Sequence, residues 1–295
     1  MPDANFVLTN ENYYSAEAND KYMSVSQFKS MAGTPYKEAC ELNGLLTFKG
    51  VIPPPTSTAL LVGSFVDAYF EGTLDDFKAA HPEMYKTTGD KGLKADFVKA
   101  EEIIRRVTKD QTFMSYMAGD KQTIMTANIF GIDWKIKMDS FFKDDKIVDL
   151  KIMRDMKPIF SELAWQRVDF IHYWGYDIQG AIYQKVVEIV TGKKLPFYIA
   201  CATKEAVTDM DIIEVTQPHL DKALEFVKDN IEHVLNLKNG LIEPVACGKC
   251  TYCVQNKVLQ GPRKIDDIII KPRVNANADT AGSEDVVDLF GDSEG

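Results

Sequence analysis

Two carboxylates and a lysine recur at a spacing that can build a metal site. Asp139 precedes Asp149 by ten residues, and Asp149 and Lys151 flank Leu150. If the two segments are neighbouring strands, the alternation of side chains places Asp139, Asp149 and Lys151 on one polar face. Carboxylate oxygens suit Mg²⁺, which polarises a phosphodiester and lowers the pKa of an attacking water. The alternative reading is a solvated strand face with an ordinary ion pair.

A second polar pair follows on a predicted amphipathic helix, residues 176–190. Gln179 and Tyr183 are four residues apart, so they share one face of that helix. An amide and a phenol in this position can contact the same site as the carboxylates. The alternatives are a surface amide for Gln179 and core packing for Tyr183.

The cysteines indicate a second, softer metal site. Cys247, Cys250 and Cys253 form C-x₂-C-x₂-C, a spacing that suits Zn²⁺ or an iron–sulfur cluster. Three thiolates require a fourth ligand. Of the two remaining cysteines, Cys201 lies in a predicted buried strand and Cys40 lies near the end of the first predicted helical region.

The elements that must position these residues follow from hydrophobic periodicity and capping signals. Ser24 and Gln27 form a capping box that opens a helical region extending to about residue 42, and Gly33-Thr34-Pro35 is expected to interrupt it. Strict alternation and β-branched residues predict strands in the middle of the chain. The predicted helices are 57–71, 95–109, 176–190 and 218–237, and the predicted strands are 123–130, 132–142, 146–152, 195–202 and 210–215. This order predicts one α/β domain, residues 1–273, with a mixed central sheet flanked by helices.

Composition sets limits on the class of protein. Hydrophobic residues make up 45% of the 295 residues, which is typical of a globular chain, and the formal net charge is −10. A net negative charge argues against a non-specific, charge-driven DNA coat but allows a local basic surface. No stretch is long and apolar enough to predict a membrane span or a signal peptide, so we expect a cytoplasmic protein. Residues 274–295 are small, polar and acidic, and are predicted to be a disordered tail.

Taken together, D…DxK…QxxxY resembles the PD-(D/E)xK nuclease superfamily, and within it the RecB-type nucleases. The run from about residue 26 to residue 258 is similar to the phage RecE-like exonucleases, of the exonuclease VIII type. The segments that carry this similarity are Val-Gly-Ser-Phe-Val-Asp-Ala-Tyr-Phe-Glu-Gly, Trp-Lys-Ile-Lys-Met-Asp, Val-Asp-Leu-Lys and Trp-Gly-Tyr-Asp-Ile-Gln, in that order along the chain. Many relatives have histidine where this chain has Asp67.

The resemblance implies a restriction-endonuclease-like core and a role for each motif residue. Asp139 and Asp149 would bind Mg²⁺ or Mn²⁺ together with the backbone carbonyl of Leu150. Asp67 would be a third side-chain ligand or would hold a metal-bound water. Lys151 would position the attacking water, and Gln179 and Tyr183 would orient Lys151 and the phosphate.

For the cysteines, the resemblance implies a [4Fe–4S] cluster. Some RecB-type nucleases, among them AddB and the CRISPR-associated exonucleases, hold such a cluster with one N-terminal and three C-terminal cysteines. Cys40 with Cys247, Cys250 and Cys253 has that layout. The last spacing is longer in those families, which keeps Zn²⁺ as the alternative.

The implied activity is metal-dependent exonuclease action on linear duplex DNA ends in phage recombination or repair. The alternatives are an endonuclease or nickase, and a non-catalytic DNA-binding accessory on the same fold. The implied protein partner is a phage recombinase or single-strand annealing protein. Asp288-Leu289-Phe290 in the tail resembles the end of a sliding-clamp-binding peptide. It predicts docking to a host replication protein, with a chance apolar cluster as the alternative.

Overall fold

A computed structural model of the chain describes residues 6–53, 57–259 and 261–265. Its helices are α1 (Ala16–Lys21), α2 (Val25–Ala32), α3 (Glu41–Phe48), α4 (Thr58–Glu71), α5 (Leu74–Ala80), α6 (Ala95–Val107), α7 (Gln111–Tyr116), α8 (Phe170–Trp174), α9 (Tyr176–Thr191), α10 (Gln217–Lys238) and α11 (Thr251–Gln255), with a 3₁₀ turn at Pro82–Met84. Its strands are β1 (Thr123–Ile129), β2 (Ile132–Met138), β3 (Ser140–Phe142), β4 (Lys146–Met153), β5 (Ile159–Ser161), β6 (Gln166–Val168), β7 (Phe197–Thr203) and β8 (Met210–Val215).

The central sheet is mixed, as predicted, and has the order β3-β4-β7-β8. β4 pairs antiparallel with β3 and parallel with β7, while β7 pairs antiparallel with β8. The parallel pair is joined by a long connection that contains β5, β6, α8 and α9, as parallel strands require. β1–β2 and β5–β6 are separate two-stranded hairpins.

Each face of the sheet is covered by its own hydrophobic core. One core contains Ile147 and side chains of α2, α9 and α10, and the other contains Val148, Leu150 and side chains of α4 and α6. The alternation predicted for β4 is therefore confirmed, because Val148 and Leu150 share one face. Asp149 lies on the opposite face, toward α9, and is 2% exposed.

The strand predicted over residues 132–142 is wrong in one respect, because it breaks at Asp139. β2 ends at Met138 and pairs with β1, whereas β3 begins at Ser140 and joins the central sheet. Ser140 pairs with Val148, so the bend at Asp139 brings that residue beside β4. The change of sheet thus places Asp139 where two sheets meet.

The first helical region is two helices, interrupted at Gly33-Thr34-Pro35 as expected. α2 has the predicted capping box of Ser24 and Gln27 and ends at Gly33, which has a φ of 72°. α3 begins only after Cys40, which is its N-cap residue and not the end of a helix. Pro35 lies in the intervening turn, where it cannot continue α2.

By its internal contacts, the chain divides into a compact unit, Met1–Gln255, and a second segment, Asn256–Gly295. The predicted boundary at residue 273 and the tail of residues 274–295 lie outside the described residues. Within the described residues, no helix combines the length and the apolar character that crossing a bilayer requires.

Candidate active site

Three predicted carboxylates line one cleft of about 800 Å³. Asp149 comes from β4, Asp139 from the bend between β2 and β3, and Asp67 from α4. Asp139 Oδ2 accepts a hydrogen bond of 2.8 Å from the backbone N–H of Leu150, which fixes this carboxylate beside β4. α4 coincides with the predicted helix 57–71 to within one residue, because Ser57 caps its first turn and Gly72 adopts the left-handed conformation at its end.

The carboxylates repel one another in a partly buried setting. Burial, followed by the charges of Asp149 and Asp67, raises the pKa of Asp139 well above its ordinary value. Burial also raises the pKa of Asp67 to about 7, because the attraction of Lys151 only partly offsets it. The described residues supply Asp67 with neither a hydrogen bond nor an ion pair. This excess of negative charge and of free carboxylate oxygens is the donor set that a hard divalent cation requires.

Among the described residues, Lys151 is the one that forms an ion pair with this group of carboxylates. Its ammonium forms an ion pair with Asp149 Oδ2, and its Nζ lies 5.2 Å from the centroid of the Tyr176 ring. Burial disfavours the charged lysine, but Asp149 and Asp139 outweigh it and raise the pKa of Lys151 above the usual value. Lys151 therefore stays protonated at neutral pH.

Gln179 and Tyr183 reach the same cleft from α9. Their hydrogen-bond partners differ from those that the resemblance implies. Gln179 Nε2 donates a hydrogen bond of 2.6 Å to Asp149 Oδ1 and so orients that carboxylate. Tyr183 OH donates to the backbone carbonyl of Lys137 at 3.0 Å, which ties α9 to β2. Both side chains line the cleft, and neither is hydrogen-bonded to Lys151.

Several cleft residues were not identified from the sequence. Glu71 lies one turn after Asp67 on α4, so an i, i+4 reading of that helix would have found it. Lys29 Nζ donates to the carbonyls of Trp174 and Gly175 at 2.9 and 3.2 Å, and burial lowers its pKa to about 8. Nothing in the local sequence around Lys29 indicates this long-range contact.

Cations collect at this cleft although the chain is acidic. Its lining includes Lys29, Lys135, Lys137 and Lys151 beside the four acids Asp67, Glu71, Asp139 and Asp149. Lys135 is buried at 1% exposure and donates to the carbonyl of Tyr13 and to Asn19 Oδ1. The lining therefore balances four lysines against four acids, and the buried Lys135 adds no charge to its surface.

The four predicted cysteines form a second cluster. The Sγ atoms of Cys40, Cys247, Cys250 and Cys253 all lie within 4.8 Å of one another, so the chain places a four-thiol group that can bind a metal. Cys201 is fully buried in β7, as predicted for a core residue.

The thiol cluster also has features of a ligand set. Burial opposes ionisation of Cys247, yet the backbone N–H groups of Lys249 and Cys250 lower its pKa to about 6. Cys40 Sγ lies 3.6 Å from Cys253 Sγ, and Cys247 Sγ lies 4.0 Å from Cys253 Sγ. Around the cluster, Glu41 accepts from the N–H of Val245 at 2.8 Å, so α3 and the C-terminal loop are joined independently of a metal.

Comparison with known proteins agrees with this arrangement. Residues 24–256 match the family described as "PDDEXK-like domain of unknown function (DUF3799)". A solved structure from Eubacterium rectale, described as a "putative exonuclease", is 49% identical, with a TM-score of 0.84 over 89% of this chain and 98% of that chain. A comparison with curated proteins gave no match. The family match includes the three cleft aspartates, Lys151 and all four clustered cysteines, and the chain therefore belongs to the DUF3799 family of PDDEXK-like domains.

Proposed function

We propose that this protein is a Mg²⁺- or Mn²⁺-dependent deoxyribonuclease that degrades linear duplex DNA from its ends. The observation that carries the proposal is the convergence of Asp139, Asp149 and Lys151, with Gln179 hydrogen-bonded to Asp149, in one cleft. The similarity to a protein described as an exonuclease supports action at ends. A recombination or repair role would follow from such an activity.

The carboxylates fit a divalent cation, and each has a defined task. Asp139, Asp149 and Asp67 would hold the metal, together with the backbone carbonyl of Leu150, a residue that also lines the cleft. A bound metal would polarise the phosphodiester and lower the pKa of its water ligand. Gln179 holds Asp149 by its Oδ1 atom and leaves the Oδ2 side facing Lys151.

Lys151 supplies a fixed positive charge next to the reacting phosphate. Because its pKa is raised, it would act as an electrostatic and positioning group and not as a base. Its charge would orient the attacking water and stabilise the negative charge that develops in the transition state. The half-buried Lys29 and Lys137, on the cleft wall, would contact phosphates farther along the strand.

For the cysteine cluster we propose a structural metal. A tetrahedral ion with Zn–S bonds of about 2.3 Å places its sulfurs about 3.8 Å apart. Two of the sulfur distances are 3.6 and 4.0 Å and all of them are at most 4.8 Å, which is closer to that spacing than to a cluster's and favours Zn²⁺. The four thiolates of a [4Fe–4S] cluster bind four different irons, so they would stand farther apart. A brown protein containing iron and sulfide would decide for the cluster, and a colourless one with one zinc per chain would decide for Zn²⁺.

Substrate topology tests the exonuclease proposal. The purified protein is incubated with Mg²⁺ and one plasmid in three forms, which are covalently closed, nicked and linearised. We expect the linear form alone to lose mass progressively, with nucleotides or short fragments released. Linearisation of the closed circle would assign an endonuclease, and conversion to the nicked circle a nickase. DNA binding without cleavage in any form would assign the non-catalytic accessory role.

A further inference from the structure

An exposed aromatic side chain lies at the catalytic cleft. Tyr14 is 72% exposed and lines the same cavity as Asp67 and Asp139. Its ring contacts Tyr13 edge-on, with centroids 5.0 Å apart and an interplanar angle of 81°. An aromatic face that remains in solvent beside a phosphodiester-cleaving centre is available to a ligand with a flat, stacking surface.

The segment that carries Tyr14 is anchored by two lysines. Lys135 Nζ donates to the carbonyl of Tyr13 at 2.5 Å and to Asn19 Oδ1 at 2.7 Å. Lys238 Nζ donates to the carbonyls of Asn19 and Asp20 at 3.0 and 2.7 Å. A lysine that is 1% exposed, as Lys135 is, must satisfy its charge internally, so this segment is tied firmly to β2. Tyr14 is therefore held in place before any ligand arrives.

A positive charge lies against the same pair of rings. Lys137 Nζ is 5.2 Å from the centroid of Tyr13 and 4.8 Å from that of Tyr14. Proteins that bind single-stranded nucleic acid combine aromatic stacking surfaces with basic groups that follow the backbone. Tyr14 offers the aromatic surface and Lys137 offers the basic group, and both line the same cleft as the carboxylates.

We propose that Tyr14 and Lys137 form a nucleobase-binding subsite, in which the Tyr14 ring stacks on an unpaired base of the strand being cleaved and Lys137 faces its phosphate. This inference rests on the proposed nuclease function and specifies its substrate as a duplex end with unpaired bases. A base inside a duplex is stacked on both sides, so the subsite takes a base only where the end of the duplex is open. Duplexes with splayed ends should therefore be preferred to blunt ones.

The test compares Tyr14→Leu with Tyr14→Phe on a duplex with a splayed end. Loss of one base–aromatic stack weakens binding by about 5- to 150-fold. We expect Tyr14→Leu to raise KM by that factor at nearly unchanged kcat, and Tyr14→Phe to behave as the wild type. Abasic nucleotides in the splayed end should raise the wild-type KM to the Tyr14→Leu value without a further effect on that variant. Tyr69→Leu is the matched control, since Tyr69 lies on α4 outside the cleft lining.

A binding measurement separates failure of this inference from failure of the proposed function. The probe is the same duplex with 2-aminopurine in its splayed end and Ca²⁺ in place of Mg²⁺. Quenching by the wild type and by Tyr14→Phe, but not by Tyr14→Leu, supports the subsite whether or not the DNA is cleaved. Equal quenching by all three proteins, or equal losses for Tyr14→Phe and Tyr14→Leu, would overturn it. If no DNA is cleaved while the quenching pattern holds, the nuclease proposal fails and the subsite stands.

Discussion

Replacing Asp67 with asparagine should stabilise the metal-free protein while weakening the enzyme. The pKa of Asp67 is about 7, against 3.8 for an unperturbed aspartate. At about 1.4 kcal/mol per pKa unit, the ionised carboxylate costs the folded state up to roughly 4 kcal/mol at pH 8. Asp67 is only half-buried, so solvent screening reduces the expected gain for Asp67→Asn to about 2 kcal/mol. The exchange sacrifices no hydrogen bond of this side chain among the described residues.

The pH dependence of this gain has a definite sign. A carboxyl whose pKa is higher in the folded than in the unfolded state binds more protons when folded, so its destabilising effect is largest above pH 7. The effect declines as the pH falls below 7 and is gone only well below pH 3.8, where both states are protonated. The stability difference between Asp67→Asn and the wild type should therefore be largest at pH 8 and small at pH 4.5.

Urea unfolding in EDTA at the two pH values measures this difference. Asp229→Asn is the matched control, because Asp229 is exposed on α10. Mg²⁺ should then reverse the order, since it binds the wild-type carboxylates and stabilises the folded state by mass action. Equal stability of Asp67→Asn and the wild type at pH 8 in EDTA would refute the cost assigned to the ionised Asp67 carboxylate. Equal stabilisation of both proteins by Mg²⁺ would refute the assignment of Asp67 to the metal site.

Three further changes give distinct outcomes. Lys151→Ala should abolish cleavage. It should also lower the free energy of unfolding in EDTA by about 3 kcal/mol, measured by urea unfolding, because it leaves the buried Asp149 without its cation. Cys40→Ser should reduce bound metal, read by elemental analysis, and lower the melting temperature, because metal-binding energy is folding energy; unchanged metal content would contradict the four-cysteine site. Gly180→Ala should cost about 1–3 kcal/mol, again read by urea unfolding, because the new Cβ would lie 2.5 Å from Phe197 Cδ1.

Local signals predicted the elements around the site. Ser57 and Gly72 mark both ends of α4, and the alternation in β4 separates Asp149 from Val148 and Leu150. Helix ends and strand alternation are determined by residues close together in the sequence, so they can be predicted from it. The two segments with Asp139 and Asp149 were expected to be adjacent, and the pairing of β3 with β4 brings them together.

Long-range contacts could not be predicted in the same way. The bend at Asp139 depends on competition between two sheets for adjacent residues, and no local breaker such as proline or glycine marks it. The position of Tyr14 depends on Lys135 and Lys238, which lie more than one hundred residues away in sequence. The gathering of Cys40 with the three C-terminal cysteines was reached by resemblance to other nucleases, because spacing alone cannot select a fourth ligand.

The most direct test of the catalytic assignment is a metal titration with end-labelled linear duplex DNA. Release of label is measured for the wild type, Asp149→Asn and Lys151→Ala, each shown to be folded by circular dichroism. We predict release by the wild type that requires Mg²⁺ or Mn²⁺ and stops in EDTA, and none by either variant, since Asp149 and Lys151 form the centre of the cleft. Release by the wild type in EDTA, or undiminished release by either folded variant, would contradict the account.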